Sequence, residues 1–264
     1  MKKLMAIIAV ALLTVFGTAC GQQKEASNTL TVAASAVPHA EILEHVKPIL
    51  EKEGVHLQVR VFQDYVLPNK VVEEGQVDAN YFQHVPWMEN VNKEQGYHIV
   101  KVVAVHIEPM GAYSHKIKNI NQLKNGATVA LPNDVSNETR ALLLLEKNGL
   151  IKLDNHNGPK TEKNIVSNPK HLQFKPLEAA MLPRVLDQVD LDVINTNYAM
   201  QAHLNPLKDA LIIEDKRSIY ANVLATKKGK ENDPRIQKLA KALTSPEVKK
   251  FIEQKYKGAV IPAF

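Results

Sequence analysis

The feature that most constrains this chain is a change of hydrophobic period that recurs along its length. Leu30 to Ala34 is a short, mostly apolar run, which reads as a buried strand. Beyond Pro38, apolar residues fall at Ile42, Leu43, Val46, Ile49 and Leu50. That spacing makes one stripe of an amphipathic helix, and Gly54 is placed to stop it. Val55, Leu57, Val59 and Val61 then alternate with His56, Gln58, Arg60 and Phe62, the period of a strand. Strand, helix and strand in this short compass require a crossover connection and a parallel sheet.

The alternation continues. Asn69 to Glu74 reads as helix, Val77 to Tyr81 as a turn into a strand, and Ile99 to Ile107 as a long strand. Ala127 to Leu131 is strand, Asn137 to Lys147 is helix, and Gly149 closes it. Gln173 to Leu177 is strand, Glu178 to Gln188 helix, and Leu191 to Asn195 strand. Ala221 to Thr226 is the last strand expected, and Pro234 to Lys255 holds two amphipathic helices. Val105 to Tyr113 separates two groups of these units, and the chain returns near Ile212 to Ala221. The class is α/β. Two crossings between two lobes would make a clamp with a hinge, although periodicity carries the class and not the crossings.

The N-terminus is different in kind. Lys2 and Lys3 precede an uncharged stretch from Leu4 to Phe16, then Gly17, Thr18, Ala19 and Cys20. That order is a bacterial export signal, and the apolar run is shorter than the roughly 20 residues that cross a bilayer. Cys20 is the only cysteine, so no disulfide can form within the chain. It stands where a lipoprotein signal is cut and a diacylglyceryl group attached, although Gly17 occupies a position that usually holds Leu. Gln22 to Thr29 is polar and suits a flexible tether. Residues 1–19 are therefore expected to be a lipoprotein signal peptide, and 20–29 a lipidated tether on the outer face of the cell membrane.

Residues 1–19 hold two of the 33 Lys and Arg and no acid; against 28 Asp and Glu the mature chain carries +3. This weak, dispersed charge gives no footprint for nucleic acid. The histidines His39, His45, His84, His98, His106 and His115 form no zinc-binding spacing. No nucleophile elbow, phosphate loop or cysteine–histidine pair occurs. No metal, cofactor or catalytic residue is expected, and the chain is not expected to be an enzyme.

In open α/β sheets, ligands sit beyond the carboxyl ends of the strands. There lie Asp64 and Tyr65; Tyr81, Phe82 and His84; Asn133, Ser136, Asn137 and Arg140; Asn195 and Asn197; and, in the returning strand, Asn222. Arg140 is placed in the first turn of its helix, where free N–H groups and a guanidinium would together hold a carboxylate. Asn195 and Asn222 interrupt apolar strand sequence, and a carboxamide can face both ends of a zwitterion. Tyr65, Phe82 and His84 could wall in a thioether. Each has a plainer reading: an exposed arginine, structural asparagines, ordinary core aromatics.

The stretches FQDYVLPN (62–69), VDANYFQHVPWM (77–88), VALPNDVSNETRALLLLEKNGLI (129–151), LDVINTNYA (191–199) and YANVLATK (220–227) resemble the NlpA-type lipoproteins, substrate-binding components of methionine ABC importers. The resemblance covers nearly all of the mature chain; Trp87 departs from it, standing where relatives often carry a smaller ring. It implies a periplasmic-binding-protein fold, with residues 28–112 and 213–264 as lobe 1 and 113–212 as lobe 2. It implies that Arg140 binds a ligand carboxylate, that Asn195 and Asn222 hold the amino-acid backbone, and that Tyr65, Phe82 and His84 surround a methionine side chain. The partners implied are methionine, an ABC permease with its ATPase, and the bilayer through Cys20. Other amino acids, D-methionine and methionine-containing dipeptides are the nearest alternatives; an exported enzyme or a surface adhesin are more distant ones.

Overall fold

The structure, a computed structural model, describes residues 28–215 and 218–264. The export signal, Cys20 and the tether up to residue 27 lie outside the described residues. β1 (Thr29–Ser35), α1 (Glu41–Lys52) and β2 (His56–Phe62) form the expected unit, with β1 and β2 parallel from Thr29↔His56 to Ser35↔Phe62. Gly54, at φ +75°, turns the chain between them in a conformation that Cβ-bearing residues avoid. α2 (Leu67–Glu73) starts two residues before the expected Asn69. Pro68 stands in its first turn, where the missing N–H costs no bond. β3 (Ala79–His84), α3 (Val85–Gln95) and β4 (Ile99–Ile107) follow, and β3 pairs parallel with β1.

The chain then crosses at Glu108–Met110 into a second sheet. This part contains β5 (Gly111–Tyr113), β6 (Thr128–Pro132), α4 (Val135–Lys147), the small pair β7 (Lys152–Leu153) and β8 (Ile165–Ser167), and β9 (Gln173–Leu177). α5 (Leu182–Val185), β10 (Leu191–Ile194), α6 (Thr196–Gln201), α7 (Pro206–Asp209) and β11 (Ile212–Ile213) complete it. The helix expected over 178–188 is instead a 3-10 turn, Ala179–Met181, and the four residues of α5. Pro183 cannot donate back into a preceding turn, so an α-helix can only begin there. The chain returns through 214–220 to β12 (Ala221–Lys227), which inserts antiparallel between β3 and β4; α8 (Pro234–Leu243), α9 (Pro246–Tyr256) and β13 (Ile261–Pro262) finish the first lobe.

The first sheet has the order β13-β4-β12-β3-β1-β2 and the second β11-β5-β10-β6-β9. This is the two-lobed, periplasmic-binding-protein-like fold. Gly111, Ala112 and Ile213, expected in lobe 1, pair within the second sheet, so both crossings lie slightly further out than 112/113 and 212/213. Gly111 permits this: a Cβ there would lie 2.8 Å from the Tyr113 hydroxyl.

Each sheet is mixed and is covered on both faces, as its parallel strands require. Leu30, Val32 and Leu57 pack under α1, α8 and α9 through Ile42, Leu239 and Ile252. Val71, Val72 and Met88 of α2 and α3 cover the other face. In the second lobe Leu142 and Leu145 of α4 pack on Val129 and Val193, while Leu182 and Tyr198 pack on Ala130 and Ile194.

Candidate functional site

The carboxyl ends of β3, β6 and β10 face one another across the crossings and line one small cavity. All six residues singled out from the sequence line it: Tyr65, Phe82, His84 and Asn222 from the first lobe, Arg140 and Asn195 from the second.

One end is aromatic. The Tyr65 ring lies 5.9 Å from Phe82 and 5.7 Å from Trp87, and its hydroxyl donates to Asn197 Oδ1 at 2.6 Å, tying the lobes together. A second tie runs the other way, from the Tyr198 hydroxyl to the carbonyl of Gln63 at 3.1 Å. Trp87 Nε1 and Asn197 Nδ2 are buried with no partner among the described residues.

The other end is polar, and its amides have fixed orientations. Asp134 caps α4 by accepting from the Asn137 backbone at 2.8 Å, and it takes both Asn137 Nδ2 contacts at 3.0 Å. Asn137 Oδ1 therefore faces the cleft, where it accepts from Asn195 Nδ2 at 2.9 Å and meets His84 Nε2 at 3.2 Å. His84 Nδ1 accepts from the Trp87 backbone at 3.2 Å, so Nε2 carries the proton. Burial, and then the nearby Arg140, lower the His84 pKa to about 3 and keep it neutral. His84 bonds into this polar end through both ring nitrogens, and its ring lies edge-on to Tyr220 at 5.0 Å. Asn195 Oδ1 is left buried with no partner among the described residues.

Arg140 departs from the sequence reading. Because Asp134 starts the helix at Val135, Arg140 sits in the second turn, away from the free N–H groups. Its side chain is 3% exposed, and Nε and Nη2 form a two-pronged pair with Glu214 at 2.7 and 2.5 Å. Nη2 also donates to the Glu108 carbonyl at 2.6 Å, and Cζ lies 4.6 Å from the centre of the Tyr220 ring. Burial opposes its charge, but Glu214, Tyr220 and Glu108 outweigh it and raise the pKa. One guanidinium thus clasps both crossings, leaving Nη1 without a hydrogen-bond partner among the described residues.

Behind the polar end lies a buried group that sequence reading missed. Glu108 accepts from His106 Nε2 at 2.7 Å and lies 3.3 Å from His39 Nε2; His106 Nδ1 bonds the Tyr81 hydroxyl. Burial raises the Glu108 pKa, against the pull of His39, Arg140 and the Asn197 backbone N–H. His39 Nε2 also bonds Asn222 Oδ1 at 3.0 Å. The ligand atoms of His39, His106 and Glu108 lie within 4.8 Å of one another. Each is already committed to the hydrogen bonds just given, which a metal ion would have to displace. The acids at both crossings, Glu108 and Glu214, and a histidine inside the apolar run VVAVHI were the available signals.

Among the described residues, no helix is long and apolar enough to cross a membrane. The chain is 42% identical to the methionine-binding lipoprotein MetQ of Bacillus subtilis, over 96% of each chain. It is 39% identical to the D-methionine-binding lipoprotein MetQ of Salmonella typhimurium, over 92% of this chain and 91% of that one. A nutrient-binding protein from Burkholderia cenocepacia, solved bound to methionine, superposes with a TM-score of 0.86 at 44% identity, covering 89% of this chain and 100% of the other. The family model for the NlpA lipoproteins matches residues 30–264, and the chain belongs to that family.

Proposed function

We propose that this protein binds methionine between its two lobes and delivers it to an ABC permease and its ATPase. The observation that carries the reading is the polarity of the cavity. At one end are unpartnered donors, Arg140 Nη1 and the Asn222 amide nitrogen. Beside them are acceptors, the orphaned Asn195 Oδ1 and the carboxylate of Glu108. The donors suit an α-carboxylate and the acceptors an ammonium. The ring edges of Tyr65, Phe82 and Trp87 suit a thioether. His84 orients Asn137, and Asn137 orients Asn195.

The lobes that close on the ligand are residues 28–110 and 214–264 against 111–213, with the hinge in the crossings that Arg140 clasps. Cys20, lipidated after removal of residues 1–19, holds the protein to the outer face of the membrane. The protein acts by binding and release, without chemistry on the ligand. Mass spectrometry of gently purified protein tests the reading. Co-purifying methionine is the expected result; a different bound metabolite, or methionine that fails to rebind after stripping, would count against it.

A further inference from the structure

His39 does not line the cavity, yet its hydrogen bonds decide what the cavity presents. It lies between β1 and α1 and is 1% exposed. Its Nε2 is 3.0 Å from Asn222 Oδ1 and 3.3 Å from Glu108 Oε1. A carboxylate oxygen can only accept. Burial raises the Glu108 pKa, but His106 Nε2 at 2.7 Å already donates to the same Oε1 and the backbone N–H of Asn197 also donates to this group, so Oε1 faces His39 as an acceptor. His39 Nε2 must therefore carry a hydrogen. Burial, partly opposed by Glu108, lowers the His39 pKa to about 4, so the ring holds one proton. Nδ1 is buried with no partner among the described residues.

This fixes the Asn222 amide. Rotated by half a turn, its NH₂ would meet the Nε2–H head-on. In the observed orientation Nδ2 has no hydrogen-bond partner among the described residues, and Asn222 lines the cavity. Nδ2 is thus free to donate to a ligand. We propose that His39 is a positioning residue which locks Asn222 with its amide nitrogen toward the ligand, so that the site selects a free α-carboxylate over a neutral amide. The inference rests on the methionine reading above.

The test is calorimetry at pH 6 with L-methionine and L-methioninamide, on the parent, His39→Met, His39→Gln and Asn222→Asp. The ratio of the two affinities does not depend on what fraction of a variant folds. The parent should strongly prefer methionine. In His39→Met the Asn222 amide is released, and the preference should fall about tenfold, the size of one charge-assisted hydrogen bond. Gln restores an N–H donor at similar reach and should keep the ratio within about threefold of the parent. Asn222→Asp presents an acceptor where the lock presents a donor, and should bind the amide at least as well as methionine. An unchanged ratio in His39→Met, equal losses in Met and Gln variants, or a parental preference in Asn222→Asp each overturns the inference while leaving the methionine reading standing. A parent that binds neither ligand overturns that reading and the inference with it.

Discussion

Replacing Arg140 with Met removes a guanidinium that is 3% exposed and is bonded twice to a Glu214 carboxylate itself only 14% exposed. Glu214 keeps one bond, from the Met110 backbone at 2.8 Å. Removing one partner of a buried pair costs about 3–5 kcal/mol, mostly for the charge left behind. The partial exposure of Glu214 puts this case near about 3 kcal/mol. Glu214→Gln keeps an acceptor for the guanidinium and should cost less, about 2 kcal/mol. The double variant leaves neither charge stranded, so its loss should fall short of the summed single losses by about 2 kcal/mol. Urea unfolding of ligand-stripped protein measures all three. Binding should separate from stability: Arg140→Met should weaken methionine at least about 30-fold, whereas Glu214→Gln, which leaves Nη1 in place, should stay within about fivefold of the parent. Stability losses that add to within about 0.5 kcal/mol, or equal affinity losses in the two single variants, would refute the clasp.

The Asp192 carboxylate is buried in the second lobe with no partner among the described residues, and burial pushes its pKa up to about 8. Its contribution is therefore complete below the unfolded value near about 4 and is lost as pH rises through about 8; the melting temperature should fall less from pH 5 to 8 in Asp192→Asn than in the parent, and parallel curves would contradict this. The pKa values of His39, His84 and His106 are lowered to about 4, 3 and 3, chiefly by burial. Stability from these three is present above about 6.5 and is lost on acidification toward their folded values, so with Asp192 the parent should be most stable near about pH 6.5, and a melting maximum below pH 5 would sink the argument. Cys20→Ser should move the protein from the membrane to the soluble fraction; unchanged membrane association would exclude the lipid anchor.

What was legible in the sequence follows from the range of the interactions. β1, α1 and β2 could be read because the stripe Ile42, Leu43, Val46, Leu50 and the pairing of β1 with β2 are set within one short segment. Helix starts were less legible. The first-turn Pro68 of α2 and the Asp134 cap of α4 lie outside the apolar pattern, which therefore starts each helix two residues late and puts Arg140 one turn early. The six cavity residues could be located because the topology brings strand ends together and the family resemblance singles out the same six among the residues there. Their bonds could not. Arg140 and Glu214 are 74 residues apart, and His39 and Asn222 are 183 apart. No local pattern announces such pairs, so Arg140 looked like a free anion receptor when its paired face is occupied by Glu214. His84 reads in the sequence as an aromatic ring, and the bonds of its two nitrogens to Asn137 and the Trp87 backbone come from the fold.

The most direct test of the central claim is a calorimetric titration of ligand-stripped protein with L-methionine. The account predicts one saturable site per chain, with no binding of L-aspartate at the same concentrations, because a second carboxylate would be buried unpaired against the aromatic end. No saturable heat with methionine, or aspartate binding as tightly as methionine, would contradict it.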